Sequence, residues 1–356
     1  MEIYINGISA ISPQKTYDNS LFLNEITEYS QDFISVVKPN YKEYISPKIL
    51  RRMSNIIRMG VVSARMAMQE AEVENPDAII VGTGLGCMTD TEKFLNKLLD
   101  NNEQFLTPTS FIQSTHNTVG AQIAVMISCN NYNMTYVNQN IAFETSLLDA
   151  IMMFEEGRGN NILVGGIDEI TPENYELKKR IDAWKIENVQ NLDLLNSKTK
   201  GCLAGEGSTF TVLSNKKNKQ TYAKLIDVLT IYKAEQNELS IKLISFLEKN
   251  NLTINDIDIV ITGNNGDYES DKMYNDLCNK HIKDSVQVVY KHLIGEHNSA
   301  SAFGFWLASK ILKNKSIPEI VNYKQIMPKQ IKNVLVYNFD YYFKNNHSFV
   351  LLSSEE

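Results

Sequence analysis

Few side chains in this chain can do covalent or acid–base chemistry: four cysteines, Cys87, Cys129, Cys202 and Cys278, and five histidines, His116, His281, His292, His297 and His347. The cysteines stand far apart, with no C-x-x-C pair and no Cys/His cluster. Neither a zinc site nor a disulfide framework is indicated. Cys129 ends an apolar helical run (Ile123, Val125, Ile127) and reads as a buried thiol. Cys87 lies in a glycine turn, the position most open to access. His116 precedes a helix and reads as a capping or surface group, while His281 and His347, beside lysine and asparagine, read as exposed. No histidine, aspartate and serine share a spacing that suggests a hydrolase triad. Gly82-Thr83-Gly84-Leu85-Gly86 invites a dinucleotide reading, but the third glycine falls one residue early and no strand-end acid follows at the right distance. A chain turning tightly after a buried strand explains these glycines more simply.

The elements that position these residues alternate between strand and helix. Buried-strand runs are expected at 78–81, 134–139, 161–164 and 208–213. Between the second and third lies a helix with Phe143, Leu147, Ile151 and Phe154 on one face, closed by Gly157 and Gly159. The second part repeats the pattern. It has strands at 223–228, 257–261, 286–290, 334–337 and 348–352, a helix with Ile241, Ile244 and Leu247 on one face, a short turn starting at Thr253, and a helix at 301–312. Such alternation predicts an α/β fold with largely parallel sheets. The Asn/Lys-rich stretch 215–220 is the expected junction, dividing the chain into halves 1–215 and 221–356.

With 356 residues, 43% of them apolar, the chain suits one large unit or two intimately packed halves. Its net charge of −7 and the lack of a long basic run argue against nucleic-acid binding. Lys216, Lys217 and Lys219 read as a solvated loop. Met1-Glu2-Ile3-Tyr4-Ile5 enters a strand directly, and no apolar stretch approaches the ~20 residues that span a bilayer. A cytoplasmic protein with no membrane partner is expected, and no residue pattern calls for a cofactor or metal.

Four ordered stretches resemble landmarks of the β-ketoacyl synthases. Val81 to Gly86 (VGTGLG) resembles the glycine turn after an early strand. Ala150 to Glu169 resembles the helix, strand and "GG…E" that follow the nucleophile. Gly201 to Gly207 (GCLAGEG) resembles "GFxxGEG", and Lys291 to Gly304 (KHLIGEHNSASAFG) resembles "KSxxGHxxGAAG". Leu252 to Ile261 resembles the lead-in to the family's "HGT" strand. The resemblance implies a thiolase fold: two similar halves, each a sheet between helices, stacked as a five-layered αβαβα sandwich and normally dimeric. It also implies a mechanism in which a helix-terminal cysteine accepts an acyl chain from a carrier protein. Two histidines then assist decarboxylation of a malonyl thioester, whose carbanion attacks the acyl-enzyme.

Set against that mechanism, the site residues are altered. Counting back from Asp149-Ala150 places Asn140 at the cysteine position, and a carboxamide is no nucleophile. Asn265 falls at the first histidine, where an amide donates a hydrogen bond but does not titrate near neutrality. At the second histidine stands Glu296, with His297 next; either occupies the place. Lys291 matches the family's lysine, His292 has no counterpart, and Cys202 fills the aromatic position of "GFxxGEG" as a packing residue. The glycine-rich "FGFGG" loop, which lends the oxyanion hole a backbone donor, corresponds to Asn338-Phe339-Asp340-Tyr341-Tyr342-Phe343 and has no glycine left.

The resemblance therefore implies one of two roles in fatty acid, aryl polyene or other polyketide synthesis. One is a non-catalytic subunit, similar to a chain-length factor, that pairs with an active ketosynthase and shapes the tunnel for the growing chain. The other is a divergent acyl-carrier condensing or decarboxylating enzyme in which His297, Asn265 and Lys291 stabilise an enolate without a covalent intermediate. An acyl carrier protein is the expected partner in either case, together with a ketosynthase subunit or a second copy of the chain. The carrier's acidic surface calls for basic residues, for which Arg51, Arg52, Arg58 and Arg65 are the candidates.

Overall fold

The computed structural model describes residues 1–234, 236–324, 326–340 and 346–355. Ten strands form the main sheet: β1 (Ile3–Ile11), β2 (Ala78–Gly82), β3 (Tyr132–Tyr136), β4 (Asn161–Asp168), β5 (Gly207–Ser214), β6 (Ala223–Ile231), β7 (Ile259–Thr262), β8 (Val286–Val289), β9 (Asn333–Asp340) and β10 (Asn346–Ser353). Their spatial order is β8-β7-β9-β10-β6-β1-β5-β4-β2-β3. Read outward from the centre, β1-β5-β4-β2-β3 and β6-β10-β9-β7-β8 are one topology used twice, with the same sequence of antiparallel and parallel neighbours. The two meet through a three-residue antiparallel contact, Ile3–Ile5 against Leu225–Ala223. The sheet is mixed, which corrects the expectation of largely parallel pairing. β5 and β10 each run antiparallel to both neighbours, and an alternation of helices and strands does not report strand direction.

The core shows why these segments are strands. On β2, Ala78 and Ile80 face one apolar cluster while Ile79 and Val81 face another; on β9, Val334 and Val336 face the first while Leu335 and Tyr337 face a third. Burial on both faces is what makes such strands read as unbroken apolar runs. The shared first cluster contains helices α4 (Ala142–Glu155) and α7 (Ser301–Asn314), whose Phe143 and Phe305 rings meet edge-on at 5.6 Å. Helices α1 (Asn55–Ala71) and α3 (Thr118–Ile127), with α2 (Met88–Asp100) between them in the chain, lie in the first half, and α1 and α3 cover its outer face. Helices α5 (Gln236–Lys249) and α6 (Tyr268–His281) cover that of the second. Helix, sheet, helix, sheet, helix: five layers result.

Of the expected stripe on α5, only Leu247 is buried. Ile241 and Ile244 are exposed, and Leu239, Leu243, Phe246 and Leu247 face the core. With apolar residues on two faces of the helix, periodicity admitted either stripe, and packing chose the one with the larger contiguous area. At β2 the fit is tighter: a Cβ on Gly82 would lie 2.5 Å from the backbone of Ala142. Glycine lets the N-terminus of α4 rest directly on the strand end, which sets the height of everything preceding that helix. No described helix is long and apolar enough to cross a membrane.

Candidate functional site

Four segments converge beside the start of α4. These are the 3₁₀ turn Gln139–Ile141 that leads into it, the loop 263–267 after β7, the segment 291–299 before α7, and the end of β9. Between them lies a cavity of about 40 Å³, lined by Asn140, Lys178, Trp184, Asn265, Glu296 and His297 among others. That volume holds a few waters, not an acyl chain.

Asn140 is buried, and its side-chain Oδ1 has no hydrogen-bond partner among the described residues; its backbone carbonyl accepts from Asn338 Nδ2 at 3.0 Å. Asn338 Oδ1 in turn accepts from Lys291 Nζ at 3.3 Å. Lys291, 1% exposed, donates to both carboxylate oxygens of Glu296 at 2.9 and 2.7 Å, and Asn265 Nδ2 donates to the second at 2.7 Å. Asn140, Asn338, Lys291, Glu296 and Asn265 therefore form one continuous polar chain. Both oxygens of Glu296 are engaged, and the amine that could polarise a carbonyl is already paired.

His297 lines the same cavity but looks the other way. Its Nδ1 lies 4.0 Å from Asp168 Oδ2 and 3.4 Å from Ser299 Oγ. So the two neighbours divide the local work: Glu296 sits with Lys291 and Asn265, and His297 with Asp168. Asp168 is the hub of the first half. Its Oδ1 accepts from Thr83 Oγ1 and from the backbone N–H groups of Gly84 and Leu85, and its Oδ2 accepts from Ser299 N–H. Burial would raise this carboxyl; His297, Ser299 and the Gly84 N–H outweigh it and hold it below the usual range. The glycine-turn N–H groups that a phosphate would need are thus spent on a carboxylate of the protein itself. Next to it, burial pushes the Glu169 carboxyl up to about 7, despite bonds from Thr89 N–H and Oγ1. Burial likewise lifts Asp271, which accepts the N–H groups of Asn265 and Gly266, to about 6.

None of the cysteines offers a substitute nucleophile. Cys202 touches the cavity, but its thiol is buried, donates to the Ala183 carbonyl at 3.3 Å, and is driven far above its ordinary pKa by burial. Cys87 is also buried, which corrects the reading of an accessible thiol; Cys129 and Cys278 are buried too. His347 is buried, not exposed as expected, and stacks between Tyr337 and Phe339; burial lowers its pKa to about 4. His281 is half-buried against Ser240, His292 is buried with its Nε2 on the Ile320 carbonyl, and His116 is exposed. Arg58 and Arg65 do not join Arg51 and Arg52 at the surface: both are half-buried, and Arg65 bonds the carbonyls of Tyr44 and Met126. Of the segment read as the altered "FGFGG" loop, Tyr341, Tyr342 and Phe343 lie outside the described residues.

Three participants escaped sequence reading. Asn338 was seen only as part of a loop lacking glycines. Asp168 was passed over in favour of Glu169 as the end of its motif. Asp271 carried a signal, since Asp267 and Ser270 mark a helix start whose first turn favours acids, and Asp267 does accept the Ser270 N–H.

The family described as "Beta-ketoacyl synthase, N-terminal domain" matches residues 35–243, more than half of the chain. The chain belongs to the β-ketoacyl synthase family. This family member is 22% identical over 187 residues to the 3-oxoacyl-[acyl-carrier-protein] synthase 2 of Staphylococcus aureus strains N315 and Mu50, a stretch covering 47% of this chain and 45% of that protein. The chain thus spans under half the length of the curated relatives it matches. Over the whole chain it resembles the ishigamide ketosynthase/chain length factor, with a TM-score of 0.82 at 18% identity, covering 100% of this chain and 99% of that one. It also resembles the complex of the ketosynthase ApeO with its chain length factor ApeC from Xenorhabdus doucetiae, with a TM-score of 0.79 at 14% identity and coverage of 99% and 98%. The architecture of this β-ketoacyl synthase-family chain is the thiolase fold.

Proposed function

We propose that this chain is a non-catalytic, chain-length-factor-like subunit that pairs with an active ketosynthase in fatty acid or polyketide synthesis. The carrying observation is the centre of the molecule: Asn140 at the start of α4 beside a 40 Å³ cavity, with Glu296 already bound to Lys291 and Asn265. In this reading Asn140 holds the nucleophile position, Asn265 and Glu296 the two histidine positions, and Lys291 the lysine position. A carboxamide accepts no acyl group, and a site whose donors are already paired offers little to a thioester oxygen. The decarboxylase alternative loses support for the same reason. His297 reaches the cavity, but Lys291 and Asn265, the donors an enolate would need, are engaged by a carboxylate of like charge.

The outer surface supports a partner. β3 pairs only with β2 among the described residues, leaving its other edge unpaired. On that edge Met134 is exposed, with Val125 on α3 and Met152 on α4 exposed on the flanking helices. An unpaired strand edge with apolar neighbours is a template for pairing with another chain. In this proposal its occupant is the ketosynthase subunit, with a second copy of this chain as the competing outcome. For the acyl carrier protein we assign the segment 38–52. Lys38, Lys42, Lys48, Arg51 and Arg52 are all exposed there, and Glu43 is the sole acid. The division into halves 1–215 and 221–356 and residence in the cytoplasm complete the proposal.

Co-expression with a cysteine-bearing ketosynthase of the same biosynthetic cluster tests it. Expected are a stable one-to-one complex and acyl label, by mass spectrometry, only on the cysteine-bearing subunit. Covalent acylation of this chain would refute the non-catalytic role.

A further inference from the structure

We propose that Lys291 Nζ and Asn265 Nδ2 form a carboxylate-binding subsite and that Glu296 is its resident ligand, tethered through the backbone. The inference rests on the non-catalytic reading and explains how the site is kept shut. The two donors make three contacts of 2.7–2.9 Å to the Glu296 oxygens, a charge-assisted arrangement that suits any planar carboxylate. Lys291 is 1% exposed, and among the described residues no other carboxylate lies within ion-pair distance of it. Two other carboxylates feel its charge, but Asp271 is tied to the N–H groups of Asn265 and Gly266, and Glu144 accepts from Ser348 Oγ. The buried ammonium therefore depends on Glu296 for its counter-charge.

The backbone delivers that carboxylate deliberately. Glu296 N–H donates to the Leu203 carbonyl at 2.7 Å and Glu296 O accepts from Gly205 N–H at 3.1 Å, so the residue is strapped across the Gly201–Gly207 motif on both sides. Gly295 precedes it with a φ of 71°, and a Cβ there would lie 2.7 Å from Gly205. Only glycine permits that conformation and that approach. A tethered group competes at a high effective concentration, so a free carboxylate in solution does not displace it. Removing the side chain of Glu296 joins its volume to the neighbouring cavity and leaves a vacancy with a buried cation and an amide donor facing it.

The experiment uses the full chain with Glu296→Ala, probed with sodium formate and sodium acetate against chloride and sulfate at equal ionic strength. Expected is a melting temperature below wild type that rises by about 2 °C or more with formate or acetate, saturating in the millimolar range. Wild type, and the double variant Lys291→Met with Glu296→Ala, should not respond. If Glu296→Ala is recovered only after refolding, the yield in formate against chloride reads the same binding. A response absent from Glu296→Ala, or equal in wild type, overturns the subsite. That outcome would leave the non-catalytic role standing on Asn140, whereas acylation of the chain would remove that role without touching the subsite.

Discussion

The cavity at the centre and the strand edge at the rim are opposites. At the centre, the charged groups are matched inside the chain: Lys291 by Glu296, Glu296 by Asn265, Asp168 by four donors. At the rim, the outer edge of β3 is unpaired among the described residues, with Met134, Val125 and Met152 exposed around it. An enzyme of this family would need the reverse emphasis, an unfilled centre waiting for substrate. The difference is what the proposed role rests on, and it directs the tests to the outer edge as well as to the centre.

The largest effect should come from breaking the rim. Replacing Met134 and Val125 together by aspartate puts two charges on the proposed interface, and capture of the proposed ketosynthase partner should fall by roughly 100-fold or more. Quantitative co-purification or a binding isotherm checks this. Unchanged capture would move the interface elsewhere.

Breaking the centre should cost stability. Lys291→Met strands the Glu296 carboxylate in a buried setting, for which a loss of about 3–5 kcal/mol is expected in urea denaturation. Adding Glu296→Gln should recover most of it, because the pair is then replaced by neutral groups. A double variant as unstable as the single would show that packing, not charge, sets the loss.

A finer test of how closed the centre is comes from pH. The Glu169 carboxyl is raised from 4.5 to about 7 by burial, so the folded chain holds its proton more tightly than the unfolded chain does. The stability this contributes is fully present below pH 4.5 and is lost as pH rises toward 7 and beyond, about 3 kcal/mol over that window. Glu169→Gln should flatten this part of the profile. An unchanged slope would place the ionisation elsewhere, and Asp271, raised to about 6, is the next group to replace.

The smallest effect is expected from the most direct repair. Asn140→Cys restores sulfur at the start of α4 but neither enlarges the 40 Å³ cavity nor frees Lys291. Acylation by an acyl carrier substrate should stay at background in intact-mass measurements. A burst of labelling would mean that the centre opens more readily than its packing implies.

Much of this was legible beforehand because residue identity and spacing survive in one dimension. Asn140 as the proposed nucleophile position comes from counting back from Asp149-Ala150, since positions along and just before one helix, α4, keep a fixed spacing. The separate partners of Glu296 and His297 could not be read that way. Which groups each of two adjacent side chains meets depends on the path of the backbone, here turned by Gly295 at a positive φ. Asn338 was invisible as a site residue because its partners, Asn140 and Lys291, are 198 and 47 positions away.

By itself the sequence determined the family landmarks and the kind of layers that form, since side-chain identity and apolar periodicity are local properties. The tertiary structure decided the strand directions, the buried stripe of α5 and the pairing of Glu296 with Lys291. Each depends on which distant segment arrives alongside, and the free energy of burying apolar area or matching a buried charge is settled only when both surfaces meet.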